Sequence, residues 1–123
     1  MIYVASPYSD PDPGVQHQRY LDVSYAVVQL MQQKIPAYAP IVHCHELALN
    51  FNLPGDAEYW QEYNTAFLNK ADAVYVVKLP GWDKSKGVRQ EIELAWALDI
   101  PVRLVGTNGQ VFYRLFPGTP LCG

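Results

Sequence analysis

The chain has 123 residues, the length of one domain, and half of it is hydrophobic, enough to bury a core without staples. Its formal charge of -3 and the lack of any Lys/Arg cluster along the sequence argue against a nucleic-acid polymer as the main partner. Cys44 and Cys122 have neither zinc-type spacing nor a disulfide-rich context, no apolar run approaches the roughly 20 residues of a membrane span, and the N-terminus reads as a strand, so a cytoplasmic domain away from membranes is expected.

Ile2 to Ala5 reads as the first strand, followed by a loop rich in Ser, Pro, Asp and Gly from Ser6 to Gly14. A helix is predicted from Val15 to Gln33, with the stripe Val23, Ala26, Val27, Leu30 and Met31. Ile35-Pro36 ends it, because the residue before proline avoids the helical region. A short strand, Ala37 to Ala39, stops at Pro40. Ile41 to Gly55 reads as a loop, with one helical turn around Glu46 to Asn50. Asp56 is expected to cap a second helix, in which Trp60, Tyr63, Phe67 and Ala71 recur at helical spacing and Asn64 shares their face. Ala73 to Val77 is a continuous apolar run of the kind that forms buried parallel strands. The loop Lys78 to Lys86 leads to a third helix from Gly87 to Leu98. Val102 to Val105 is the fourth strand, Thr107-Asn108-Gly109 a turn, and Val111 to Leu115 a fifth strand before a Pro/Gly tail.

This alternation predicts a single α/β domain over residues 1–123. Its expected form is a flavodoxin-like or Rossmann-like three-layer sandwich on a four- to five-stranded parallel sheet. Ligands in such folds bind beyond the carboxyl ends of the strands. The loops that end there carry Ser6, Tyr8 and Ser9, then His43 and His45, then Trp82, Asp83 and Ser85.

Glu91 is the residue that most needs explaining. It falls on the apolar stripe Val88, Ile92 and Ala95, while Glu93 lies about 200° further round and is expected to face solvent. An inward carboxylate one turn from a helix start is costly without a partner or a task. Two roles fit: a nucleophile or base, or a structural ion pair with Arg19 or Arg103. Ser85 is equally open, as a plain N-cap or as an anion ligand together with the amides of Gly87 and Val88. Asn64 is either a buried amide satisfied by backbone or a group holding Glu91 or a ligand hydroxyl. His43-Cys44-His45-Glu46 lacks a third and fourth ligand, so no metal is expected, and His43 reads as a ligand-facing loop residue. Tyr8 and Trp82 are candidates for stacking on a base.

The order Tyr3-Val4-Ala5-Ser6-Pro7-Tyr8, Pro40-Ile41-Val42-His43, Asn64 to Asp72, and Ser85-x-Gly87-x-x-x-Glu91 resembles the nucleoside 2-deoxyribosyltransferase superfamily, from strand one to strand four. The resemblance implies retaining glycosyl transfer, with Glu91 as nucleophile and Tyr3 positioning it. Ser85 stands where nucleoside transferases carry an aspartate for the sugar 5′-hydroxyl and where deoxynucleoside 5′-monophosphate N-glycosidases carry a serine for phosphate. The expected activity is therefore hydrolysis of the N-glycosidic bond of a (deoxy)nucleoside 5′-monophosphate. Its alternatives are base exchange by a nucleoside 2-deoxyribosyltransferase and a non-catalytic nucleotide-sensing module; cleavage of a dinucleotide is a further one. Ser85, Gly87, Ser6 and Ser9 would hold phosphate, and Asn64 and His43 the sugar or base side. Trp82, Asp83 and Tyr8 belong to the same ligand edge. Asn64 departs from the aspartate of many relatives, and an amide cannot serve as general acid. No cofactor is implied, and a homo-oligomer is.

Overall fold

The computed structural model describes residues 1–53 and 57–119. Asp56, expected as a cap, and Cys122 in the tail lie outside the described residues. Five strands form one sheet in the order β2-β1-β3-β4-β5: β1 (Ile2–Ala5), β2 (Ala37–Tyr38), β3 (Ala73–Val77), β4 (Val102–Val105) and β5 (Val111–Leu115). The first four run parallel, and β5 turns back antiparallel to β4, so the parallel part of the sheet has four strands. Gly109, at φ 81°, closes the turn between them in a conformation that side chains disfavour. The helices are α1 (Pro13–Gln32), α2 (Pro40–Phe51), α3 (Ala57–Leu68) and α4 (Lys86–Ala97), with a short 3-10 turn at Trp82–Lys84.

Side chains alternate across the sheet, as a period of two requires. Tyr3, Ala5, Val74, Val76, Val102 and Leu104 face Leu68 of α3 and Val88, Ile92 and Ala95 of α4. Val4, Val77 and Val105 face Val23, Ala26, Val27 and Leu30 of α1 and Ile41 of α2. The sheet is thus covered on both faces. The indole N–H of Trp96 donates to the Leu115 carbonyl at 3.0 Å and ties α4 to β5. Among the described residues no helix is long and apolar enough to cross a membrane.

Local chemistry explains the boundaries. Asp12 caps α1, its Oδ1 accepting from the Gly14 N–H at 2.8 Å, and Pro13 fits the first helical position because it has no N–H to leave unpaired. Met31, expected on the buried stripe of α1, is 64% exposed, at the solvent side of the last turn. The larger correction is at residues 41–55. Pro40 is not a stop there but the first residue of the twelve-residue α2, which ends with Asn52 in a left-handed conformation at φ 51°. In α3, Tyr63 is 41% exposed and Leu68 is the deeply buried residue.

Candidate active site

Tyr3 and Glu91 meet on the α4 face of β1. The second residue of the strand must point to that face, and the phase of α4 turns Glu91 towards it beside Val88 and Ile92. The Tyr3 hydroxyl donates a hydrogen bond to Glu91 Oε2. Burial pushes the Glu91 carboxyl up to about 7, while the Tyr3 hydrogen bond pulls it down. Tyr3 is fully buried, and burial, followed by the neighbouring carboxylate charge, holds its hydroxyl far above the ordinary tyrosine range, so it remains a donor. Glu91 itself is half-buried. Among the described residues its Oε1 has no hydrogen-bond partner, which leaves this oxygen available to a ligand. Neither arginine considered as an ion-pair partner reaches the carboxylate. Glu93 is exposed.

An aromatic cluster centred on Tyr38 adjoins Tyr3. Tyr38 lies beside Tyr3 in the register of β2 and β1. Its ring is 6.1 Å from Tyr3, 5.7 Å from His43, and stacked on Phe67 of α3 at 4.0 Å. Burial and the adjacent Cys44 thiol raise its hydroxyl above the ordinary range. That hydroxyl is sealed from solvent without a conventional hydrogen bond, and so is Asn64 Oδ1. Tyr38 is the last residue of β2, and no local pattern in the sequence marks it, because its neighbours come from three other elements. His43 sits in the first turn of α2 rather than in a loop, exposed and against Tyr38. Asn64 lies one turn before Phe67 and Leu68, on the side of α3 that meets the core.

The remaining candidates lie in the neighbouring loops. Tyr8 points away from Glu91: its hydroxyl pairs with His45 Nδ1, and the His45 ring stacks on Tyr20 at 4.6 Å. Burial, then the neighbouring His17, lowers the His45 pKa. His43 and His45 thus face different neighbours, and among the described residues no group of three His, Cys, Asp or Glu converges on a metal position. Ser6 is half-buried and Ser9 exposed. Arg19 is occupied as a clasp, donating to the carbonyls of Ser9 at 3.0 Å, Tyr8 at 3.3 Å and Pro80 at 3.5 Å, which joins the loop after β1 to the loop after β3. Trp82 packs against the α4-side core, and Trp82 and Asp83 line a shallow cleft with Lys78, Leu79, Pro80 and Gly81.

Ser85 is the N-cap of α4, its Oγ accepting from the Val88 N–H at 3.3 Å. That is the local reading of a serine before a helix. Gly87 is exposed, and a Cβ there would meet nothing closer than Ser85 Oγ at 4.0 Å, so the first turn of α4 is open to a ligand. The positive end of the helix dipole points the same way.

A sheet covered by helices on both faces defines the class, a three-layer α/β domain, here with a tyrosine-bound carboxylate on its α4 side. The chain belongs to the family described as domain of unknown function DUF1937, which matches residues 1–107. No curated protein sequence matches it. Among solved structures it is similar to a 2-deoxyribosyltransferase from the psychrotolerant bacterium Bacillus psychrosaccharolyticus, a biocatalyst for nucleoside synthesis. The TM-score is 0.58 at 20% identity, over 90% of this chain and 75% of that one. At this identity the likeness establishes a shared fold.

Proposed function

We propose that this chain is a glycosyl-transferring enzyme that breaks the N-glycosidic bond of a (deoxy)nucleoside or its 5′-monophosphate with retention, Glu91 being the nucleophile. The Tyr3–Glu91 pair carries the reading: one carboxylate oxygen is held by a permanent donor and the other has no partner among the described residues. Glu91 Oε1 attacks the anomeric carbon, and the carbon–nitrogen bond breaks with its electrons leaving on the base. The sugar is then esterified to Glu91 until an acceptor displaces it, and two inversions give retention. Asn64 cannot protonate the leaving base, so the proton that the departing base takes up comes from solvent.

The fold shared with a 2-deoxyribosyltransferase supports a second base as acceptor. A 5′-monophosphate as donor is favoured by Ser85 and the open first turn of α4, where a carboxylate would repel phosphate. The same resemblance underlies assembly as a homo-oligomer.

Chromatography of free base, from each nucleoside and each 5′-monophosphate, tests the proposal, with and without an added acceptor base. Release is expected from at least one donor and is lost in Glu91→Ala. Exchange exceeding hydrolysis identifies a transferase; the reverse, confined to monophosphates, identifies an N-glycosidase. No release from any donor at high protein concentration sinks the enzymatic reading.

A further inference from the structure

β5 is the last strand of the sheet among the described residues, so one row of its backbone N–H and C=O groups has none of their strands beside it. The strand is also apolar at its surface, with Val111 44%, Phe112 46%, Tyr113 54% and the following Phe116 57% exposed. Charge is concentrated at the same edge. Arg103 of β4 lies directly opposite Arg114 of β5. Residues so placed have Cβ atoms about 5 Å apart, where like charges oppose one another. Neither arginine has an acidic partner among the described residues, whose one ion pair joins the Met1 amine to Asp72. Lys78 Nζ adds a third cation, 5.5 Å from the Phe112 ring, while the Arg114 guanidinium lies 4.8 Å from the Phe116 ring. Three cations distant in sequence thus gather on β5 and directly beside it, in a chain whose net charge is -3.

We propose that the β5 edge docks an acidic, extended segment of a partner protein. The segment adds as a sixth strand and sets carboxylates against Arg103, Arg114 and Lys78. The backbone row supplies ladder hydrogen bonds, and the cations select the sign of the partner. Two other occupants fit less well. A single-stranded nucleic acid would stack its bases on aromatic faces, but Lys78 and Arg114 already lie over Phe112 and Phe116. A second copy pairing through β5 would bring two further arginines against the first two. The site is independent of the chemistry at Glu91.

Fluorescence anisotropy with the whole chain tests the proposal, using a labelled short peptide that alternates Glu with Thr or Val. Controls are the same peptide with Lys for Glu, the same peptide N-methylated at alternate residues, and an oligothymidylate. The acidic peptide is expected to bind and the controls not, with affinity falling at least tenfold in Arg114→Glu and falling also with added salt. Arg114→Glu places an acid opposite Arg103, so its Tm is expected to rise by a few degrees, which separates lost binding from lost folding. Equal binding by wild type and Arg114→Glu overturns the proposal. So does equal binding of the N-methylated peptide, no binding of the acidic one, or preference for the oligothymidylate.

Discussion

Replacing Glu91 by glutamine separates what the carboxylate costs from what it does. The acid titrates near 7 in the folded chain against an ordinary value of 4.5. That gap of about 2.5 pH units corresponds to as much as about 3 kcal/mol between the two protonation states. Its sign follows from which state binds the proton more tightly. Between pH 4.5 and 7 the folded chain retains a proton that the unfolded chain has released. Stability contributed by this group is therefore complete below the unfolded pKa and falls as pH rises through the folded one. Glutamine does not titrate, and the other groups are common to both proteins. Urea unfolding at a series of pH values measures the difference. Near pH 4, Glu91→Gln and wild type are expected to unfold with a small, fixed difference. By pH 8 the variant is expected to gain up to about 3 kcal/mol relative to that baseline, while base release is lost. A stability difference that stays flat with pH, or wild type gaining over the variant as pH rises, refutes the electrostatic account of Glu91.

Tyr3→Phe removes a hydrogen bond to a charged group, a contribution of about 1.5–3 kcal/mol. The acid limb of the kcat/KM profile for base release, expected near pH 7, is expected to move up by about 1–2 pH units. Ser85→Ala loses the α4 cap and is expected to cost about 1 kcal/mol in thermal unfolding. It should also raise KM for a 5′-monophosphate while leaving KM for the nucleoside unchanged. Lys34 holds φ 62° just beyond α1, and Lys34→Gly is expected to raise stability by about 0.5–1 kcal/mol without altering base release.

The sheet and the inward carboxylate were legible in the sequence because each rests on local periodicity. The apolar run 73–77 and the stripe Val88, Ile92 and Ala95 specify a buried strand and the inner face of α4, and helical phase alone separates Glu91 from Glu93. α2 was not legible because proline is read as a breaker, although the same missing N–H suits it to a first helical position. Tyr38 was hidden for another reason. Its neighbours Tyr3, Phe67 and His43 come from three other elements, and only the β1–β2 register and the placement of α3 bring them together. Arg19 offers itself in the sequence as an ion-pair partner for Glu91, yet its guanidinium is held by three loop carbonyls. The cation cluster at β5 depends on strand pairing and on the loop after β3, which composition does not encode.

The central claim is that Glu91 carries the sugar between donor and acceptor. Protein mixed with a donor that releases base, quenched in acid within the first turnovers and digested, can be mapped by mass spectrometry. A sugar adduct on Glu91 is expected, present only with an active donor and absent in Glu91→Ala. Base release that proceeds unchanged in Glu91→Ala, or an adduct confined to another residue, contradicts it.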